Sequence, residues 1–220
     1  MQLPTCVTIA ESNIPRLKKN LRKALKKTNF AELRLDYLSP NKVPHALEAV
    51  KKDLRRCVCT LRLSKEGGKF SGSEKNRVSI LKLIAEYNPL LLDVEYTTLT
   101  KSDDLLRYIR NSKTNLLVSW HDFKKTPSLN FLNAQAKKMR KYSKNIKIVT
   151  TAKGVGDSAR ILSLYKSLSN TNLIAFAMGD YGRFSRILCV YLGSPYTYVS
   201  LGKPIAPGQF SLDEVKSFLN

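Results

Sequence analysis

The residues able to do chemistry in this chain sit inside runs that should otherwise be apolar. In AELRLDYL (31–38), Glu32, Arg34 and Asp36 alternate with Leu33, Leu35 and Tyr37. A strand of period two would turn all three ionisable groups to one face. Arg62 closes CVCTLR (57–62), and SKEGGKF follows as its loop. Asp93 and Glu95 share a face of LLLDVEY (90–96). His121 ends NLLVSWH (115–121) on the face of Ser119, and Lys147 interrupts the apolar run IKIVTT (146–151). Charges buried without partners are costly, so such groups pair with one another or serve a ligand. A buried lysine held as the neutral amine attacks a carbonyl and forms a Schiff base, an electron sink that acidifies the adjacent carbon. A histidine within reach removes that proton and returns it to a leaving hydroxyl. Arginines match a substrate carboxylate through two parallel hydrogen bonds. Lys, His, Glu and Arg converging from several strands therefore suit Schiff-base lyase or aldolase chemistry on an anionic substrate. Asp36, Asp93 and Glu95 are read as partners of interior cations such as Arg34 and Lys147. Position alone would choose Lys153, which shares the face of Lys147 and lies nearer the loop at the C-terminal end of its strand.

The elements that must hold these groups recur about every 25 to 30 residues as short β-rich runs. They are CVTIAE (6–11), AELRLDY (31–37), CVCTLR (57–62), LLLDVEY (90–96), NLLVSWH (115–121), IKIVTT (146–151), LIAFAM (173–178) and YTYVSL (196–201). Between them lie apolar stripes at helical spacing: Leu17, Leu21 and Leu25, then Ile80, Leu81, Leu83 and Ile84. Leu105, Leu106 and Ile109 form a third, and Ile161, Leu164 and Leu168 a fourth. Eight strand–helix alternations without a composition break predict an α/β fold, a single-domain (β/α)₈ TIM barrel over 1–220. An open doubly wound sheet is the runner-up, but GxGxxG does not follow the first strand.

Composition narrows the function. The 220 residues are 43% apolar, which excludes wholesale disorder, and 38 Lys+Arg against 17 Asp+Glu give a net charge of +21. Such an excess points first at a polyanion. The densest run, RLKKNLRKALKK (16–27), falls beside the first leucine stripe, and KKDLRR (51–56) and KKMRKYSK (137–144) fall near helix ends, where a lysine-rich solvated shell is expected. No RNP or helix-turn-helix pattern is present, so a nucleic-acid partner is not expected. Neither a membrane span nor a secretory signal is visible, which predicts a cytoplasmic protein. Cys6, Cys57, Cys59 and Cys189 lie in apolar runs without metal-ligand spacing and are expected as small buried hydrophobes, with no metal bound.

Together the motifs resemble the type I 3-dehydroquinate dehydratases. ELRLDYL (32–38), TLRLSKEGGKF (60–70), LLDVEY (91–96), SWHDFKKTP (119–127), KIVTTAKG (147–154), MGDYGRFSR (178–186), LGSPYTY (192–198) and APGQF (206–210) occur in family order across nearly the whole chain. The resemblance implies a (β/α)₈ barrel that converts 3-dehydroquinate to 3-dehydroshikimate in the shikimate pathway through a lysine imine, without metal or organic cofactor. It chooses Lys147 as the Schiff-base lysine, His121 as general base and acid, and Glu66 as the acid that positions the histidine. Glu32, Arg34 and Arg62 match groups around the substrate hydroxyls and ring, and Arg186 and Gln209 those that hold the carboxylate. The chain departs from the family at Ile205, where a hydroxylated residue usually precedes APGQ. A homodimer is implied, and with the chain ending at Asn220 no fused shikimate dehydrogenase is expected. The rival readings are a class I aldolase acting on a small anionic sugar and a basic nucleic-acid-binding or scaffold barrel.

Overall fold

The structure, a computed structural model, describes residues 3–218. Its strands are β1 (Thr5–Ile9), β2 (Phe30–Arg34), β3 (Cys57–Thr60), β4 (Leu91–Glu95), β5 (Leu116–His121), β6 (Asn145–Thr151), β7 (Asn172–Met178) and β8 (Thr197–Ser200). Helices α1 (Ile14–Leu25), α2 (Val43–Val50), α3 (Glu74–Glu86), α4 (Tyr96–Leu99) and α5 (Asp103–Asn111) fall between β1 and β5. Helices α6 (Leu129–Arg140), α7 (Val155–Leu162), α8 (Leu164–Ser167), α9 (Ser185–Tyr191) and α10 (Leu212–Ser217) complete the alternation. The strand order β7-β6-β5-β4-β3-β2-β1-β8 is that of a (β/α)₈ TIM barrel.

Each expected strand is present, shifted by at most a few residues at its ends. The largest shift has chemical consequences. β2 stops at Arg34, and Leu35–Tyr37 is a 3₁₀ turn, so Asp36 does not continue the charged face of that strand. The helices form for the reasons their stripes suggest. In α1, Asn13 caps the start by accepting from the Arg16 amide, Pro15 opens the first turn, and Leu17, Leu21 and Ala24 are buried. Full burial of a leucine contributes about 1.5–3 kcal/mol. Leu25, expected in the stripe, is only half-buried, because 3.6 residues per turn bring Ala24 round instead. Lys19 and Lys23 lie exposed on the other side of the helix. The stripe Ile161, Leu164 and Leu168 is buried but spans a break between α7 and α8. All four cysteines are free thiols in buried positions, as expected, and burial pushes Cys57 and Cys189 up to about 12.

The chain divides into two compact units: Val7–Leu116, and the described residues on either side of that segment. In the first, β2, β3 and β4 pair in parallel, with Glu32 opposite Val58, Arg34 opposite Thr60, and Thr60 opposite Asp93. In the second, β5, β6 and β7 pair in parallel, with Ser119 opposite Lys147, His121 opposite Val149, and Lys147 opposite Ile174.

Candidate active site

Within Val7–Leu116 the charged strand residues form a paired network. Glu32 is buried and accepts from Thr8 Oγ1 at 3.1 Å and Thr60 Oγ1 at 3.0 Å, one neighbour from each flanking strand. Arg34 lays its fork on Asp36, with Nε and Nη2 donating at 2.9 and 2.8 Å. The 3₁₀ turn makes this possible by folding Asp36 back. Burial works to lower the Arg34 pKa, but the Asp36 hydrogen bond and charge outweigh it and hold it raised. Asp36 also accepts from the Lys69 amide at 2.9 Å, tying Arg34 to the loop after β3.

Arg62 lies two residues past β3 and is 3% exposed. It donates to Asp93 at 2.6 Å and pairs with Glu95 at 3.2 Å. Burial again opposes the charge, and Asp93 and Glu95 outweigh it, so the guanidinium stays protonated. Glu95 accepts from the Leu63 amide at 3.2 Å and bonds Arg77 through its second oxygen. Arg77, fully buried in α3, also donates to the Leu61 carbonyl at 3.1 Å and Thr98 Oγ1 at 2.9 Å. Sequence reasoning missed Arg77, which stands in the polar-looking run SEKNR. A signal existed: Arg77 precedes Ile80, Leu81 and Ile84 by three, four and seven residues, and so shares their buried face.

Glu66 sits in the 3₁₀ turn Ser64–Glu66. Burial raises its pKa; the Arg62 charge and a 2.9 Å hydrogen bond from Thr97 Oγ1 work against that rise. The turn packs hard on Arg62: a Cβ at Gly68 would fall 2.0 Å from the Arg62 carbonyl oxygen, so only glycine fits there. A bridge between Leu63 and Phe70 closes the loop.

In the other unit, Lys147 is 6% exposed, with Nζ 4.2 Å from the Tyr198 ring centroid. β6 ends at Thr151, so Lys153 lies outside the strand and is exposed. Burial thus goes against the choice of Lys153 that position alone would make, and singles out Lys147 as the interior lysine. His121 closes β5 two residue pairs beyond the level of Lys147, about 7 Å nearer the C-terminal strand ends. Its ring stacks on Phe123 at 5.8 Å and 17°. The other histidine, His45, is exposed on α2.

Arg186, in the first turn of α9, is 2% exposed and lies 4.4 Å from the Phe176 ring centroid. Nη2 donates to the Pro207 carbonyl at 2.9 Å, Nε is buried without a hydrogen-bond partner, and no carboxylate pairs with the group among the described residues. Burial lowers its pKa to about 10. Phe176 adjoins Tyr198 at 6.5 Å between centroids, so Lys147 and Arg186 rest on two neighbouring rings. Neither aromatic stood out in the sequence, since each reads there as ordinary strand core. Gln209 is buried, and its Oε1 accepts from the Ile205 amide at 2.9 Å and the Ala206 amide at 3.3 Å. At the departing position, then, the Ile205 backbone is held by Gln209. Gly208 adopts φ +71°, and a Cβ there would come 2.7 Å from the Gly179 carbonyl oxygen.

The unit that includes β5 to β8 thus holds a buried strand lysine, a strand-end histidine and a buried arginine that no carboxylate pairs among the described residues. Comparison with known proteins gives the particular family. The type I 3-dehydroquinase family model matches residues 5–220. The 3-dehydroquinate dehydratase of Dehalococcoides mccartyi strain 195 is 40% identical over 84% of this chain and 82% of its own. That of Methanocaldococcus jannaschii is 30% identical over 96% of this chain and 95% of its own. Among solved structures, the Aquifex aeolicus VF5 3-dehydroquinate dehydratase has 29% identity and a TM-score of 0.81, covering 98% of this chain and 96% of its own. The Geobacillus kaustophilus HTA426 enzyme, at 21% identity and TM-score 0.89 over 100% of this chain and 90% of its own, shares the fold. The chain belongs to the type I 3-dehydroquinase family, whose members are dehydratases and hence lyases. That membership sets aside the aldolase and nucleic-acid readings as its identity. Among the described residues, no helix is long and apolar enough to cross a membrane.

Proposed function

We propose that residues 1–220 act as one catalytic domain that dehydrates 3-dehydroquinate to 3-dehydroshikimate through a lysine imine, as a step of the shikimate pathway. The single observation that carries the substrate assignment is Arg186. A buried guanidinium without a carboxylate is a standing electrostatic cost, and a substrate carboxylate making parallel hydrogen bonds relieves it. The shared aromatic floor of Phe176 and Tyr198 supports Arg186 and Lys147 as groups that grip one small molecule, carboxylate and ketone respectively.

The Lys147 amine adds to the ketone carbon and water leaves, forming the protonated imine. His121 takes a proton from the adjacent carbon, and the electron pair moves into the imine as an enamine. The enamine returns its electrons, the carbon–oxygen bond of the next carbon breaks, and His121 gives the proton to the departing hydroxyl as water. A second water then hydrolyses the imine and frees Lys147. In this reading Glu66 orients His121, and Glu32, Arg34 and Arg62 bind hydroxyls and the ring. Gln209 shapes the loop at the carboxylate. Each step moves protons and electron pairs among substrate, water and these side chains.

Borohydride reduction in the presence of 3-dehydroquinate, followed by peptide mass spectrometry, tests this. A reduced adduct on Lys147, absent from Lys147→Ala, is expected; an adduct on another lysine, or none, overturns the mechanism. The enzyme is further assigned to the cytoplasm, where its four thiols remain reduced, and to a homodimer. The dimer reading rests on α9 and its flanking residues, which expose Phe184, Leu188, Tyr191 and Leu192 at 50–64% and show no exposed charge between Phe184 and Leu192. Two chains of net charge +21 meet most easily over such a face.

A further inference from the structure

Within Val7–Leu116, a cleft of about 630 Å³ opens between α3, α4 and the start of α5, with Lys65 of the Glu66 turn at its edge. Four lysines line it: Lys65, Lys75, Lys82 and Lys101. Its two acids are already engaged. Asp104 pairs with Lys82 at 2.5 Å, and Glu74 pairs with Arg77 at 3.2 Å. Lys65, Lys75 and Lys101 are exposed and have no ion-pair partner among the described residues. Three like charges gathered round one concavity repel one another, and a bound anion would relieve them.

The donors indicate which anion. No arginine lines the cleft, so the planar fork that matches a carboxylate is missing. The donors are lysine ammonium groups, point charges able to approach a tetrahedral phosphoryl group from several sides; the hydroxyls of Thr97 and Ser79 beside them already donate to Glu66 and the Lys75 carbonyl. The volume suits a small metabolite. We propose that this cleft binds a small phosphorylated metabolite, using none of Lys147, His121 or Arg186. Occupancy is read at Glu66, since Thr97 lines the cleft while donating to Glu66, and Lys65 adjoins Glu66 in one turn. Only the effect on turnover rests on the role proposed for Glu66; binding does not.

The test is calorimetric titration of the full chain with inorganic pyrophosphate and with citrate, an anion of comparable charge built from planar carboxylates. Pyrophosphate is expected to bind one to one, with citrate about tenfold weaker or more. The double variant Lys75→Gln with Lys101→Gln should lose about tenfold in pyrophosphate affinity while retaining turnover. The control Lys19→Gln with Lys23→Gln, which removes the same charge from α1, should lose none. Lys147→Ala should bind pyrophosphate normally, which separates failure of this site from failure of the imine mechanism. Hydrogen exchange of amides 63–70 should slow on binding. The proposal is overturned by equal losses in the two double variants, by citrate binding as tightly, or by no heat up to about 5 mM. Loss of binding in Arg186→Ala would put the probe on the carboxylate site and equally overturn it. Unchanged exchange in 63–70 would refute the link to Glu66.

Discussion

The guanidinium of Arg186 lies 4.4 Å from the centroid of Phe176, buried, with its Nε unbonded and no carboxylate opposite it among the described residues. A protein that spends stability on such a group gains most by using it on a ligand. Arg186→Met should therefore separate binding from stability. KM for 3-dehydroquinate is expected to rise about thirtyfold or more, from loss of a buried charged hydrogen bond worth about 2–5 kcal/mol. The thermal midpoint should hold or rise, since an uncompensated buried charge has gone. An unchanged KM would remove Arg186 from the carboxylate site.

Arg77 presents the opposite case, because its charge is fully matched. Arg77→Met leaves Glu95 facing Arg62 alone and strips donors from the Leu61 carbonyl and Thr98. Breaking a buried pair on one side costs about 3–5 kcal/mol. Glu74→Ala, which removes an exposed partner of the same arginine, should cost under about 1 kcal/mol. Urea unfolding of both variants measures the contrast, and equal losses would mean the Glu95 pair is not what Arg77 secures.

Glu66 should write its environment into the pH profile. Burial raises its folded pKa above the unfolded value, so between those two values the folded chain holds more protons than the unfolded one. Stability from this group therefore falls as pH rises through that window. Glu66→Gln should gain stability relative to the parent across the same window and hold the gain above it. If ionised Glu66 orients His121, kcat falls as pH drops through the raised pKa. Thr97→Val removes a hydrogen bond that favours the carboxylate and should move this acid limb upward. A limb that stays put in Thr97→Val would show that another group sets it.

The face of α9 offers a direct test of assembly. Leu188→Glu, at a half-exposed position, should convert the proposed homodimer to monomer in sedimentation velocity while leaving helix content intact. Parent protein that sediments as a monomer at tens of micromolar would dispose of the dimer.

Much of the site was legible because strands alternate faces and the apolar background made Glu32, Arg34, Asp93 and Lys147 conspicuous. The same rule failed at its limits. Asp36 was carried along β2 although the strand had ended, because a 3₁₀ turn leaves no mark on an alternating pattern. Lys153 could not be told from Lys147 by parity, since parity carries no information about depth or strand end. Arg77 was hidden among solvated neighbours, and Phe176 and Tyr198 passed as core.

The sequence by itself determined the eightfold strand–helix alternation, the burial of its cysteines, and the family to which its motifs belong. Those properties depend on local periodicity and residue type, which are written along the chain. Only the tertiary structure decided which charges are satisfied and which are not. Arg62 meets Asp93 and Glu95 across 31 and 33 residues of sequence, Arg77 meets Glu95 across 18, and Arg186 meets an aromatic ring and, among the described residues, no acid. Pairing energy depends on distance and desolvation in space, and neither is encoded in spacing along the chain.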